Sequence, residues 1–323
     1  MQAPAEICAI PEGRESALAL TYDDGSRTHY THALPTHVKY KVPATFLIVT
    51  DRVEADAPGR ARMRVSWDEL RAMHDQGMEI ANHTRDHPNM REIENQGASE
   101  EMQQGKSPAG LSALREKNYP ALLAEVTDAT QALVAHGLPR PITFGFPYSA
   151  CPDCAERLLA DAGPLWPRRE NLMTGNGDTP GTYDKALAEL LRPGQIGVVV
   201  VHGIGTQTPD DGWNPITSLA TYEYLVAKAG ELSVSGKVYV GKHGEIMRYR
   251  YRAAGSRLQE NADGTFTIAP TVAPAGGAPA AGGWELWLRA APGAQVKVNG
   301  RDAAPDARGV FTARVGDVLR AGE

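Results

Sequence analysis

The first 250 residues of the chain alternate between short apolar runs of strand length and longer segments with apolar residues at helical spacing. Residues 17–22 (ALALTY), 43–49 (PATFLIV) and 196–201 (IGVVVV) are predicted strands, and one helix is predicted to begin at Asn118 and Pro120. Such alternation is typical of a parallel α/β fold, in which a helix returns the chain to the same end of the sheet after each strand. The pattern therefore predicts a parallel α/β domain over residues 1–250.

Four polar or aromatic residues come shortly after predicted strands, namely Asp23, His83, Tyr148 and His202. In a parallel barrel the C-terminal ends of the strands share one face, and that face carries the active site. We therefore expect these four residues, although they are far apart in the sequence, to lie on one rim of the domain.

The sequence changes in character after about residue 250. Short alternating runs such as 265–268 (TFTI), 284–288 (WELWL) and 310–315 (VFTARV) are separated by Asp-Gly and Asn-Gly turns, which predicts antiparallel strands. Residues 269–283 are rich in Pro, Ala and Gly and show no periodicity. Residues 251–323 are thus predicted to form a small antiparallel β module, sandwich-like, which either caps the first domain or binds carbohydrate.

The composition narrows the class of protein. With 42% hydrophobic and 22% charged residues, the chain resembles an ordinary globular protein. Its formal net charge of −6 argues against a nucleic-acid partner, which usually requires a basic surface. No apolar run approaches the roughly 20 residues of a membrane-spanning helix, so no transmembrane segment is predicted.

Three cysteines leave several interpretations open. Cys151 and Cys154 form a C-x-x-C pair, and Cys8 stands alone. The pair is compatible with a local disulfide, two free thiols or a redox motif, and the abundance of Pro and Gly, typical of an exported chain, favours the disulfide. We expect a secreted or periplasmic protein, although the first residues, MQAPAEI, do not resemble a signal peptide.

A metal site is predicted from two short motifs. His83 and His87 are four residues apart in HTRDH, a spacing that places two imidazoles on one face of a helical turn. The motif is not H-E-x-x-H, which argues against a metalloprotease of that type. Asp23 and Asp24 in TYDDG supply one carboxylate for a metal and one for a catalytic base. Two histidines and one carboxylate leave coordination positions open, as in catalytic zinc sites. The alternatives are surface histidines and a solvated turn.

His202 follows the apolar run VVVV on the same predicted rim as the metal motifs. An imidazolium at this position can protonate a leaving group, so His202 is a candidate general acid. The alternative is a histidine that packs at the end of a strand.

Together these motifs resemble those of the polysaccharide deacetylase family (the NodB-homology domain, carbohydrate esterase family 4). The family's T-F-D-D-G motif appears as TYDDG at 21–25, and its H-[ST]-x-x-H motif appears as HTRDH at 83–87. Its third motif ends at Pro147-Tyr148, and its Leu-x-His motif is represented by VVH at 200–202. The resemblance covers about residues 15–245 and marks this chain as a divergent member.

The resemblance implies a distorted (β/α) barrel of about seven strands and a divalent metal of the zinc type. It also implies a role for each residue of the site: Asp24, His83 and His87 as metal ligands, Asp23 as base, His202 as acid, and the backbone N–H of Tyr148 as oxyanion donor.

Two departures from the family pattern bear on catalysis. The third motif normally carries an arginine that orients the catalytic aspartate, and here Gly145 stands in its place. The fourth motif normally offers Asp and Trp, whereas residues 165–170 read LWPRRE. We expect Arg168 or Arg169 to replace the missing guanidinium and hold Asp23 ionised; the alternative is two surface arginines.

Four further residues have weaker assignments. Trp213 follows the acid histidine and is predicted to stack on a sugar ring, or else to plug its loop. His29, His32 and His37 are predicted to be structural or exposed, with contact to substrate left open for His29.

The function predicted from these residues is metal-dependent hydrolysis of acetyl groups on a carbohydrate, either N-acetyl or O-acetyl, in an oligo- or polysaccharide. The expected partner is therefore an acetylated carbohydrate. Two alternatives remain open: an amide hydrolase acting on a small non-sugar substrate, and a carbohydrate-binding protein without catalytic activity.

Overall fold

The computed structural model describes residues 2–54, 63–163, 165–169, 171–205, 216–271 and 284–322. The strands are β1 (Ala5–Ile7), β2 (Ser16–Asp23), β3 (Thr45–Ile48), β4 (Glu79–Asn82), β5 (Thr143–Gly145), β6 (Trp166–Arg168), β7 (Leu172–Met173), β8 (Ile196–Val201), β9 (Gly203–Ile204), β10 (Ile216–Thr217), β11 (Val238–Val240), β12 (Ser256–Glu260), β13 (Phe266–Pro270), β14 (Glu285–Ala290), β15 (Val296–Val298), β16 (Arg301–Asp302), β17 (Val310–Arg314) and β18 (Val318–Ala321). The helices are α1 (Leu34–Tyr40), α2 (Trp67–Asp75), α3 (Met90–Glu94), α4 (Glu100–Gln103), α5 (Pro108–Ala135), α6 (Ala155–Ala162), α7 (Pro180–Leu190), α8 (Leu219–Val234) and α9 (His243–Ala254).

The first part of the chain folds into an open half-barrel of parallel strands. Seven strands follow one another across the sheet in the order β6-β5-β4-β3-β2-β8-β7, and β11 pairs with the beginning of β2. This confirms the predicted distorted barrel of about seven strands. Strand β2 lies at the centre, and all eight of its residues are buried. The parallel pairing places the ends of β2, β4, β5 and β8 on the same rim, as expected.

The core of the half-barrel lies between the sheet and its helices. Fully buried apolar side chains from β2, β3 and β8, such as Leu20, Phe46 and Val199, belong to one core cluster with Leu225 of α8. Burying a side chain of this size contributes about 1.5–3 kcal/mol relative to leaving it exposed. The rim residues therefore project from strands whose positions are held by extensive apolar packing.

Helix α5 begins at Pro108, so the prediction that this helix begins at Asn118 and Pro120 is wrong. Pro120 lies inside the helix, where a proline typically costs about 3 kcal/mol because it lacks an N–H and crowds the preceding turn. Tyr119 and Leu122, on either side of the proline, are buried in one cluster with Phe144 of β5 and Leu158 of α6. This packing offsets the local penalty, and the helix continues through the proline.

The last part of the chain forms the predicted antiparallel β module. Its sheets are β1-β14-β17 and β12-β13-β18-β15-β16, and they share a buried apolar cluster that includes Ile268, Leu286 and Phe311. Strand β1 reaches this module from the other end of the sequence, because Ala5 pairs with Ala290. The division at residue 250, which falls within α9, remains a prediction. No helix among the described residues is long and apolar enough to cross a membrane.

A chain of hydrogen bonds crosses the core at Tyr22, the position at which the deacetylase motif has Phe. The buried Tyr22 hydroxyl lies 2.6 Å from His37 Nε2 and 2.9 Å from the Tyr222 hydroxyl. His37 Nδ1 lies 2.8 Å from the Val42 carbonyl and must donate to it, which leaves Nε2 as an acceptor for Tyr22. Burial lowers the pKa of His37 to about 4, so its imidazole is neutral. His37 is therefore structural, in agreement with its assignment.

We expect Tyr22→Phe to lower the free energy of unfolding by about 1–3 kcal/mol, because His37 and Tyr222 would be left with buried polar atoms lacking a partner. Denaturant titration of the purified protein measures this change. Tyr251→Phe is the control, since that side chain is 40% exposed. Equal stability of the Tyr22→Phe variant and the wild type would contradict the assigned bond chain.

Candidate metal centre and active site

The end of β2 presents two carboxylates in different directions. Asp23 is the last residue of the strand, and Asp24 follows with a positive φ of 77°. Thr84, His87 and Tyr148 also have positive φ values, of 70°, 71° and 58°. Left-handed backbone is costly for residues other than glycine and concentrates at functional sites. Four such residues at one rim indicate that the fold accepts local strain to aim these groups.

The motif HTRDH is a loop and not a helical turn, so the predicted route by which His83 and His87 converge is wrong. The backbone N–H of Thr84 donates to Asn82 Oδ1 at 2.8 Å, and that of His87 donates to Thr84 Oγ1 at 3.0 Å. These local bonds stabilise the left-handed residues and fold the loop back on itself. The two imidazole rings still meet, with centroids 4.9 Å apart.

Asp24, His83 and His87 each present one ligand atom within 4.8 Å of the others. Asp24 Oδ1 lies 3.0 Å from His87 Nε2 and 3.5 Å from His83 Nε2. Burial would raise the pKa of Asp24, but hydrogen bonds and charge from the two histidines outweigh burial and hold it well below its usual value. The predicted ligand set is therefore brought together, with a carboxylate anion at its centre.

The orientation of His83 fits a metal ligand. Its Nδ1 lies 2.9 Å from the backbone carbonyl of Gly145, which can only accept a hydrogen bond, so Nδ1 carries the proton. Nε2, the other ring nitrogen, faces Asp24 and is the atom that would bind a metal once it is deprotonated. A backbone carbonyl that fixes the tautomer of a ligating histidine is a common feature of metal sites. Two imidazole nitrogens and one carboxylate oxygen form a donor set that suits zinc.

Asp23 is buried and paired with Arg168, whose Nη2 donates to Asp23 Oδ2. Burial alone would raise the pKa of Asp23, but the charge of Arg168, followed by those of His83 and His202, outweighs burial and lowers it. Of the two arginines proposed from the sequence, Arg168 therefore reaches the carboxylate. Arg169 is exposed on the surface.

Gly145 and Arg168 are complementary. They are register partners on the neighbouring strands β5 and β6. A Cβ atom on Gly145 would collide with Leu47 and would lie 3.1 Å from His83 Nδ1 and 3.2 Å from Arg168 Nη2. The space that a side chain at position 145 would need is thus occupied by Leu47, with the His83 ring and the Arg168 guanidinium close beside it.

Tyr148 and His202 complete the rim. Tyr148 lies in the turn Pro147–Ser149, and its exposed ring packs edge-on against His87 with centroids 4.6 Å apart. His202 lies between β8 and β9, and its imidazole is half-buried. Its charge is among those that act on Asp23. Trp213, the predicted stacking residue, lies outside the described residues.

Cys151 and Cys154 are free thiols, so the favoured disulfide is not formed. The turn is held instead by Glu94, whose carboxylate accepts the backbone N–H of Asp153 and that of Cys154, each at 2.9 Å. Burial, followed by the hydrogen bond that the thiol donates to Glu94, raises the pKa of Cys154 to about 12, so this thiol stays protonated. Among the described residues, Cys8 is also free.

Two polar residues that hold the HTRDH loop were not singled out in the sequence. Asn82 is buried, and its Nδ2 donates to Val126 O at 2.8 Å and Thr130 Oγ1 at 2.9 Å on α5. Glu125, also on α5, accepts the backbone N–H of Asp86 at 3.2 Å. An amide directly before HTRDH was the available signal for Asn82, because a polar residue at the end of a buried strand needs a partner.

Comparison with known proteins agrees with the motifs. The family model described as "Polysaccharide deacetylase" matches residues 11–164. None of the curated proteins compared with the chain matches it. The chain is similar to the solved structure of a family 4 carbohydrate esterase from Streptomyces lividans in complex with acetate, with 18% identity and a TM-score of 0.47, over 71% of this chain and 93% of that one.

Two other solved structures are similar at comparable levels. The peptidoglycan deacetylase PdaC from Bacillus subtilis shares 15% identity, with a TM-score of 0.45, over 75% of this chain and 94% of that one. The Xyl-CE4 domain of a multidomain xylanase from the hindgut metagenome of Trinervitermes trinervoides shares 16% identity, with a TM-score of 0.47, over 73% of this chain and 90% of that one.

The family match includes strands β2 and β4, which precede TYDDG and HTRDH, and it ends before β6 and His202. Residues 11–164 are therefore similar to the polysaccharide deacetylase family, and this range contains both TYDDG and HTRDH.

Proposed function

We propose that the protein is a metal-dependent hydrolase that removes N-acetyl or O-acetyl groups from a carbohydrate in an oligo- or polysaccharide. The observation that carries this proposal is the convergence of Asp24, His83 and His87 beside Asp23, which is itself held by Arg168. The proposed base Asp23 and the proposed ligand Asp24 are adjacent in the sequence. Asp23 pairs with Arg168, whereas Asp24 faces His83 and His87. The arrangement supports one metal position next to one ionised carboxylate.

A divalent metal, which we propose to be zinc, would be held by Asp24, His83 and His87, and when bound it supplies Lewis acidity and makes a water more acidic. Asp23, kept ionised by Arg168, takes a proton from the attacking water. The backbone N–H of Tyr148 donates to the oxyanion that develops from the acetyl carbonyl. His202 gives a proton to the departing sugar nitrogen or oxygen, and acetate is released.

The expected substrate is an acetylated sugar, and a polymeric one favours a secreted or periplasmic location for the protein. The direct test is acetate release from acetylated chitooligosaccharides, xylan and peptidoglycan, each with and without a chelator. We expect release from at least one of them and its loss with chelator. Release from none of them, together with hydrolysis of small amides, would favour the small-amide hydrolase instead.

Replacing a proposed ligand should remove the metal. We expect His83→Ala to reduce bound zinc to background and to abolish turnover, because two remaining ligands hold the ion too weakly. Elemental analysis of the purified variants measures the metal content. His74→Ala on α2 is a control outside the ligand set and should keep wild-type zinc. An unchanged zinc content in His83→Ala would refute the ligand assignment.

Replacing the proposed base should separate metal binding from turnover. Asp23→Asn keeps the size of the side chain but cannot take the proton, so we expect kcat to fall by at least about 100-fold while zinc remains bound. Asp75→Asn, at an exposed position on α2, controls for the loss of a charge. Retention of kcat by Asp23→Asn would rule out the role of base.

Substitutions of the neighbouring residues Arg168 and Arg169 should differ sharply in their effects on stability and activity. We expect Arg168→Met to lower the free energy of unfolding by about 3–5 kcal/mol, because it leaves Asp23 as a buried charge without its partner. Activity should fall as well, since the base loses the group that keeps it ionised. Arg169→Met, at the exposed neighbouring position, should change neither stability nor activity. Similar effects of the two substitutions, in denaturant titration and acetate release, would count against the pairing.

A further inference from the structure

A second histidine lies directly beneath the proposed acid. His29 is the first residue of a single π-helical turn, His29–Ala33, and its side chain is completely buried. Its ring packs against those of Tyr22 and Phe46, with centroid distances of 5.3 Å and 5.8 Å. A polar ring in apolar surroundings destabilises the fold unless it is hydrogen-bonded. The hydrogen-bond partner of His29 therefore indicates the role of this side chain.

That bond connects His29 to the backbone of His202. His29 Nε2 lies 2.6 Å from the His202 carbonyl oxygen, and because a carbonyl only accepts, Nε2 must carry the proton. Among the described residues, His29 Nδ1 has no hydrogen-bond partner. Burial lowers the pKa of His29 to about 4, so the ring is neutral and keeps this tautomer at neutral pH.

His202 occupies a break in the sheet. Strand β8 ends at Val201, and β9 begins at Gly203 and pairs with β10 instead of continuing the main sheet. Residue 202 is thus the point at which the backbone leaves the half-barrel. At such a break the ladder of the main sheet no longer determines the orientation of the peptide, and the bond from His29 provides an additional constraint.

We propose that His29 is a positioning residue that fixes the backbone at His202 and thereby the direction from which the His202 imidazole reaches the leaving group. This inference rests on the proposed function, in which His202 is the acid. A proton donor must lie within about 2.6–3.2 Å of the atom that it protonates. A shift of about 1 Å at such a group can cost about 100-fold in rate.

Two substitutions separate the hydrogen bond from other roles of the side chain. Gln can place an amide N–H close to the position of His29 Nε2, whereas Asn is one methylene shorter and does not reach the His202 carbonyl. We expect His29→Gln to keep most of the activity on an N-acetyl sugar. We expect His29→Asn to lower kcat by about 10- to 100-fold, with KM and bound zinc unchanged.

The choice of substrate distinguishes positioning of an acid from general loosening of the site. An amine needs a proton to leave, whereas the phenolate of nitrophenyl acetate does not. His29→Asn should therefore slow N-deacetylation much more than hydrolysis of nitrophenyl acetate. His37→Asn is the matched control, since His37 is equally buried but contacts Tyr22 and Val42 rather than His202. It should affect both substrates equally.

A double-mutant cycle with His202→Asn completes the test. If His29 acts only through His202, adding His29→Asn to the His202→Asn variant should cause no further loss of N-deacetylation. Equal slowing of both substrates by His29→Asn, or additive losses in the double variant, would overturn the proposal.

The positioning role can be tested separately from the proposed function. NMR signals of the His202 ring should shift in His29→Asn and remain near their wild-type positions in His29→Gln. Unchanged His202 signals in His29→Asn would overturn the proposal even if the enzyme is active. Shifted signals in a protein that releases no acetate from any sugar would instead refute the proposed function and leave the positioning role supported.

Discussion

A buried ion pair between Arg168 and Asp23 connects the organisation of the sheet to the chemistry of its rim. Bringing two charges out of water is costly, and a pair like this one is favourable only when the geometry is good. The register of β5 and β6 supplies that geometry, because it sets Arg168 beside Gly145, where a glycine leaves room for the guanidinium. The same glycine accepts the hydrogen bond that orients His83. One position on β5 thereby affects both the proposed base and a proposed metal ligand.

The short motifs were sufficient to predict that Asp24, His83 and His87 lie together. Asp24, His83 and His87 come from two strands that neighbour β3, so parallel topology alone brings their ends together. The backbone conformation of HTRDH, which brings the two histidines together, was not predictable in the same way. The spacing of His83 and His87 indicated a helical turn, whereas side chains at Asn82 and Thr84 capture backbone N–H groups and stabilise a loop. Patterns of residue type do not encode such competition between side-chain and backbone partners.

Other features that the sequence left open or predicted wrongly depend on contacts between distant parts of the chain. Arg168 and Arg169 are equivalent in the sequence, and only the strand register separates the buried residue from the exposed one. Helix α5 passes through Pro120 because tertiary packing outweighs a local penalty, which propensity alone cannot anticipate. The thiols of Cys151 and Cys154 stay free while Glu94 fastens the turn from another helix. In each case the deciding interaction is absent from the local sequence.

The pairing of β1 with β14 has a consequence for biosynthesis. Ala5 and Ala290 are neighbours in the fold, yet almost the whole chain is synthesised between them. A ribosome releases β1 before the half-barrel and β14 after it, and contacts so distant in sequence are slow to form. Strand β1 therefore remains without its partner β14 while the half-barrel is synthesised. The module that is made after the half-barrel thus secures a strand that was made before it.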